Sequence, residues 1–273
     1  MFLALPSEAI PCSSINQLIN NMNHHEISQQ LCIQLGDNTL ILAQRLGEWC
    51  GQGPVLEQDI ALTNIALDLL GQTRMYYAYA AQLEGQGKTE DELAYFRDAH
   101  QYKNVLLVEQ KNGNWADTIA RQFFFDAWHS LYVTALVQST DTALREIAEK
   151  AIKEITYHLR FSSDWVIRLG DGTEESHQKM QAAIDQLWVY TGELFLPSEI
   201  DNAAAAAGIA PDLADLQSAW KQKVEEVLTE ATLTIPAETY MQRGGKTGVH
   251  TEHLGYLLAE MQYLQRAYPG NQW

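Results

Sequence analysis

The sequence predicts an all-α protein, a four-helix bundle with additional C-terminal helices. Three observations carry this. Only seven prolines occur in 273 residues, and long stretches lack them; a proline inside a helix costs about 3 kcal/mol or more. Apolar residues recur at steps of three and four, and the alternation expected of strands is missing. Glycine-rich breaks then divide the chain into segments of helical length.

The elements follow in order. Residues 1–27 are polar and rich in Asn, His and Gln, and read as an extension whose order the sequence leaves open. Residues 28–273 read as a single helical domain. The first long helix runs from about Ile27 to Cys50 and stops at Gly51-Gln-Gly-Pro54. The second spans roughly Leu56 to Leu83, ahead of Gly85-Gln-Gly87. Thr89 and Glu92 form a capping-box pattern that opens a shorter helix. The third long helix covers about Ala116 to Gln138, after Asn112-Gly-Asn114, and the fourth Thr142 to Leu169, before Gly170-Asp-Gly172. Further helices are expected at about 174–195, 198–207, 212–233 and 251–268.

Composition narrows the class. Hydrophobic residues make up 46%, enough for a large core. With 18 basic against 35 acidic residues the net charge is −17, which repels nucleic-acid phosphates and suits a chain that docks a basic partner. Cys12, Cys32 and Cys50 fit no zinc spacing and read as reduced thiols of a cytoplasmic protein. The first residues carry no Lys or Arg ahead of an apolar stretch, so no signal peptide is expected. No apolar run is long enough to span a membrane.

The long helices place polar residues where a bundle core should be. Asp68 and Gln72 share a face of the second with Ile65 and Tyr76. Gln122, Asp126 and His129 share one on the third, and Glu154 and His158 one on the fourth. Glu48 lies on the row Ile33, Asp37, Ile41, Gln44 of the first. A buried carboxylate without a partner costs several kcal/mol or more, so each needs a cation, a hydrogen-bond network or a metal. One inward acid per helix matches the ferritin-like di-iron bundle, which takes a Glu from each of two helices and a Glu-x-x-His pair from each of the others.

Glu48 and Asp126 could stand at the single positions, Asp68 and Glu154 at the paired ones. The pairs then fail. Three residues after Asp68 comes Gly71, which has no side chain, and three after Glu154 comes Tyr157, with His158 one place later. The set reads as a degenerate di-iron site that binds no metal. Asp126-x-x-His129 has the right spacing, and reads either as a buried hydrogen-bonded pair or as two ligands. Arg45, Arg74, Arg121, Lys153 and Arg160 are candidates to neutralise the inward acids in a metal's place.

The stretch from Leu35 to Arg74, together with RQFFFDAWH at Arg121–His129, AIKEITYHLRFSSDWVIRLGDGT at Ala151–Thr173 and the segment Gly244–Trp273, resembles the C subunits of bacterial phenylacetyl-CoA ring-epoxidase complexes. The likeness extends from about Gln34 to Trp273. It implies a ferritin-like fold in a complex that adds one oxygen atom of O2 across the ring of phenylacetyl-CoA during aerobic phenylacetate breakdown. It further implies that the partner A subunit holds the di-iron centre and most of the substrate. A reductase subunit with flavin and an iron–sulfur cluster feeds electrons from NADPH, and a small B subunit links copies. The C subunit pairs with A, supports it, and carries no cofactor or catalytic residue. The alternative is an autonomous ferritin-like di-iron oxidase or iron-binding protein with an altered ligand set.

Two further motifs remain open. Arg243-Gly-Gly-Lys246-Thr-Gly248 lacks the first glycine of a P-loop, with Tyr240 in its place. It reads as a structural turn, or as a basic loop in which Arg243 and Lys246 face CoA phosphates or the partner. His250-x-x-His253 reads as helix-start capping or as a metal pair.

Overall fold

The structure is a computed structural model that describes residues 22–237 and 239–271. The first helix, α1, is His24–Gly47. Asn23 caps it: its side chain accepts from the Glu26 N–H at 3.1 Å, and the Glu26 carboxylate accepts from the Asn23 N–H at 2.9 Å. That capping box draws residues 24–27 into the bundle, so the expected extension ends earlier than the sequence suggests. Residues 1–21 of that expected extension lie outside the described residues.

α2 is Leu56–Glu84, closed by Gly85 at φ 67°; such a left-handed cap favours glycine. α3, Glu90–Tyr95, begins at the Thr89–Glu92 box as expected. A single helical turn, α4, Leu106–Glu109, was not expected from the sequence. α5 is Trp115–Leu136 and α6 is Thr142–Gly170. Then come α7 (Glu174–Trp188), α8 (Glu199–Ala206), α9 (Leu213–Glu230), α10 (Glu252–Met261) and α11 (Tyr263–Ala267). Two long expectations are shortened. The helix expected to reach residue 195 stops at Trp188, and Gly192–Phe195 forms a 3-10 turn. The last helix is split at Gln262, whose side-chain amide donates to the carbonyls of Ala94 and Arg97.

α1 pairs with α2 and α5 with α6, each pair across a short loop, and α2 packs on α6 to join the two hairpins. α7 and α9 cover α5, while α8 and α10 lie against α1. The apolar core is continuous from Ile27 on α1 to Leu258 on α10. After α9 the chain returns along the bundle. Gly245 comes so near the Asn104 carbonyl that a Cβ there would lie 2.1 Å from its oxygen, so only glycine fits. Among the described residues no helix is long and apolar enough to cross a membrane.

Candidate functional site

The polar residues of α2, α5 and α6 meet in the middle of the bundle. His158 is fully buried, and its Nε2 lies 3.0 Å from Asp68 Oδ2. Burial pulls the His158 pKa down against the pull of Asp68. A neutral ring with Asp68 as acceptor carries its proton on Nε2, leaving a lone pair on Nδ1, which has no hydrogen-bond partner. One turn along α2, Gln72 donates to Glu154 Oε2 at 3.3 Å. Burial raises the Glu154 pKa, and the neighbouring Asp68 adds to the rise.

Asp126 is fully enclosed and accepts from Gln122 Nε2 at 2.7 Å and Ser162 Oγ at 2.8 Å. No cation reaches it with a hydrogen bond among the described residues. Burial pushes its pKa to about 8, against the opposing pull of Ser162 and Gln122, so it is mostly protonated at neutral pH. The proton also offers Gln122 Oε1, unpartnered as placed, a donor once that amide is turned over. His129 does not bond to Asp126. Its Nδ1 is unpartnered, and burial with the nearby His158 holds its pKa near 3. Asp126 and His129, in the depth of the bundle, are therefore largely neutral, while Asp68 and Glu154 lie nearer its surface.

This donor set does not fit a di-iron centre. Glu48 lies past the last turn of α1, held at the surface by Arg45 at 2.7 Å and Asn112 at 2.8 Å. Gly71 faces outward, and a Cβ built on it would meet nothing within 4 Å. Tyr157 is exposed. The expectation that Gly71 and Tyr157 break a ligand set inside the bundle is corrected: both lie outside it. Asp68, Glu154 and His158 do come together, and Asp126 sits deeper. Among the described residues no three His, Cys, Asp or Glu side chains gather in a way that could hold a metal.

The expected countercharges are also elsewhere. Arg74 is exposed and pairs with Glu90; Lys153 and Arg160 face solvent. Arg45 spans the Glu109 and His253 carbonyls as well as Glu48. Arg121 is fully buried against the Gln110 carbonyl and Asn112, and burial pulls its pKa to about 9. Of the five, only Arg45 meets one of the proposed acids, and that acid is at the surface.

Buried ion pairs surround the middle instead. Asp37 on α1 takes a guanidinium from Arg97, a phenol from Tyr77 and the Lys103 N–H. Of the two readings of the Arg243–Gly248 loop, Lys246 fits the structural one: its Nζ turns inward and donates to Asp201 Oδ2 and the Leu196 carbonyl, each at 3.0 Å. Arg243 is the outward cation of that loop. It borders a cavity of about 360 Å³ with Leu196, Pro197 and Val249. His250 does not cap the helix, whose N-cap position is Thr251. Its Nδ1 lies 2.8 Å from Glu109 Oε2 and its Nε2 2.9 Å from the Tyr102 carbonyl, two acceptors that a protonated ring satisfies together. Burial pulls its pKa down, but Glu109 outweighs that and the net shift is upward. The signal for Asp37 was its place in an apolar row; nothing in the sequence pointed to Arg97.

Comparison with known proteins agrees with this architecture. The family described as "Phenylacetic acid catabolic protein" matches residues 16–273. The chain belongs to this family. Among curated proteins, the C subunit of 1,2-phenylacetyl-CoA epoxidase from Escherichia coli (strain K12) is 58% identical over 241 residues, covering 88% of this chain and 97% of that protein. The resemblance read from the sequence is thereby shown, and the ferritin-like all-α architecture agrees with this phenylacetic acid catabolic family.

Proposed function

We propose that this chain is the non-catalytic C-type subunit of a cytoplasmic, multicomponent di-iron monooxygenase that epoxidises the ring of phenylacetyl-CoA. It pairs with and supports a catalytic A-type subunit that holds the irons and most of the substrate. A small B-type subunit and a flavin and iron–sulfur reductase complete the assembly. The observation that carries this reading is the identity to the E. coli epoxidase's C subunit across 97% of that protein. The placement of the residues supports the non-catalytic part: Glu48 is held in a surface pair with Arg45, and Gly71 and Tyr157 lie outside the bundle.

The test is reconstitution. The A-type subunit, expressed with and without this chain, is supplied with reductase, NADPH and phenylacetyl-CoA while epoxide formation is followed. Turnover is expected only when both are present, with the iron travelling with the A-type subunit. Iron at about two per chain in this subunit purified alone, or full turnover without it, overturns the reading and favours an autonomous di-iron protein.

A further inference from the structure

α2 carries large apolar side chains on its outward face as well as its inward one. Its inner face buries Leu62, Ile65, Leu69 and Tyr76. At 100° per residue, Leu56, Ile60, Leu67 and Gly71 fall on the opposite face, and there the side chains of Leu56, Ile60 and Leu67 are 71%, 50% and 60% exposed. Exposed apolar side chains that line up into one patch mark an interaction surface. Gly71 adds a second oddity. Glycine destabilises a helix interior relative to alanine, and nothing among the described residues needs the room, since a Cβ there would meet open space.

The edge of this strip is anionic. Asp68 borders it on α2 and is about one-third exposed. Across the seam on α6 lie Glu154, bonded to Gln72, and the exposed ring of Tyr157 beside Phe161. Two partly exposed carboxylates thus sit at the margin of an uncharged strip, with Lys150 as the cation near Glu154.

We propose that this α2–α6 seam is the face on which the partner subunit docks. The partner packs apolar side chains along Leu56–Gly71, approaches closely over Gly71, and sets a Lys or Arg against Asp68 and Glu154. The inference rests on the pairing proposed above and adds its location. Charge decides the occupant: a second copy of a chain carrying −17 would bring acids toward acids, whereas a basic side chain completes the pair.

The experiment uses full-length chain and the A-type subunit, with affinity followed by titration at rising salt. Gly71→Arg and Leu67→Arg are each expected to weaken pairing about tenfold or more, as central interface residues do. Tyr256→Arg, exposed on α10, should leave it unchanged. Asp68→Asn with Glu154→Gln keeps the internal hydrogen bonds and should flatten the salt dependence. Wild-type affinity for both Arg variants overturns the docking face while leaving pairing intact; failure of the wild-type chain to pair overturns the subunit reading itself. A homodimer lost in the same variants would make the occupant a second copy, also against the proposal. A fall in the melting temperature of the isolated Arg variants would mean that the chain covers the strip itself, which equally overturns the docking face.

Discussion

Asp37 on α1 and Asp126 on α5 are equally buried, yet their surroundings differ in kind. Asp37 meets a guanidinium, a phenol and a backbone N–H. Asp126 meets an amide and a hydroxyl, and keeps its proton instead. The same contrast runs through the molecule. Asp201 and Glu109 at the periphery take Lys246 and His250, while Glu154 and His129 at the middle are shifted toward neutrality. A buried acid can be matched by importing a cation or by binding a proton. The first costs two desolvated charges and gives a fixed geometry. The second leaves a softer site whose charge follows pH.

The contrast is broken most forcefully at its charged end. Arg97→Met and Lys246→Met each strand a buried carboxylate, and each is expected to lower unfolding free energy by about 3–5 kcal/mol in urea titrations. A loss of under about 1 kcal/mol would mean that these pairs behave like surface ones.

At the neutral end the readout is pH. Asp126 has a folded pKa of about 8, raised above an unfolded value of about 3.9. Its contribution to stability is therefore complete below the unfolded value and is lost as pH rises through the folded one. Asp126→Asn should remove that decline, matching wild type below about 3.9 and exceeding it in stability at neutral pH; an unchanged slope between those limits would refute a protonated Asp126.

The smallest effect is expected at His250. Its folded pKa is raised, so the clamp it makes is fully present below about 6.5, its unfolded value, and weakens as pH rises through the folded value. His250→Gln should make the segment before α10 cleave faster in limited proteolysis under mildly acid conditions, and wild type should approach the variant in alkali. Equal cleavage of both at all pH values would remove His250 from the comparison.

Helix order was legible because its signals are local. Thr89 and Glu92 announce their own cap, and Gly85 closes α2 where the periodicity ends. The polar layer was half legible. Rows of three and four brought Asp68, Glu154 and His158 together correctly, since each lies within one helix. Depth was not: a row does not say which residues stop short of the core, so Glu48 and Gly71 were placed too far in. The ion pairs were hidden for a different reason. Lys246 reaches Asp201 and His250 reaches Glu109 across loops, and no period in the sequence encodes where a returning loop will land.

That returning loop also sets an order of events. Glu109 is buried against a residue 141 positions later in the chain, and Gly245 lies against Asn104 in the segment that leads into α10. During synthesis the four long helices emerge well before residues 244–262. For that interval the nascent bundle holds an acid whose partner does not yet exist. The final tightening of the core around Tyr102 and Glu109 is then a late step, completed only when the distal segment arrives.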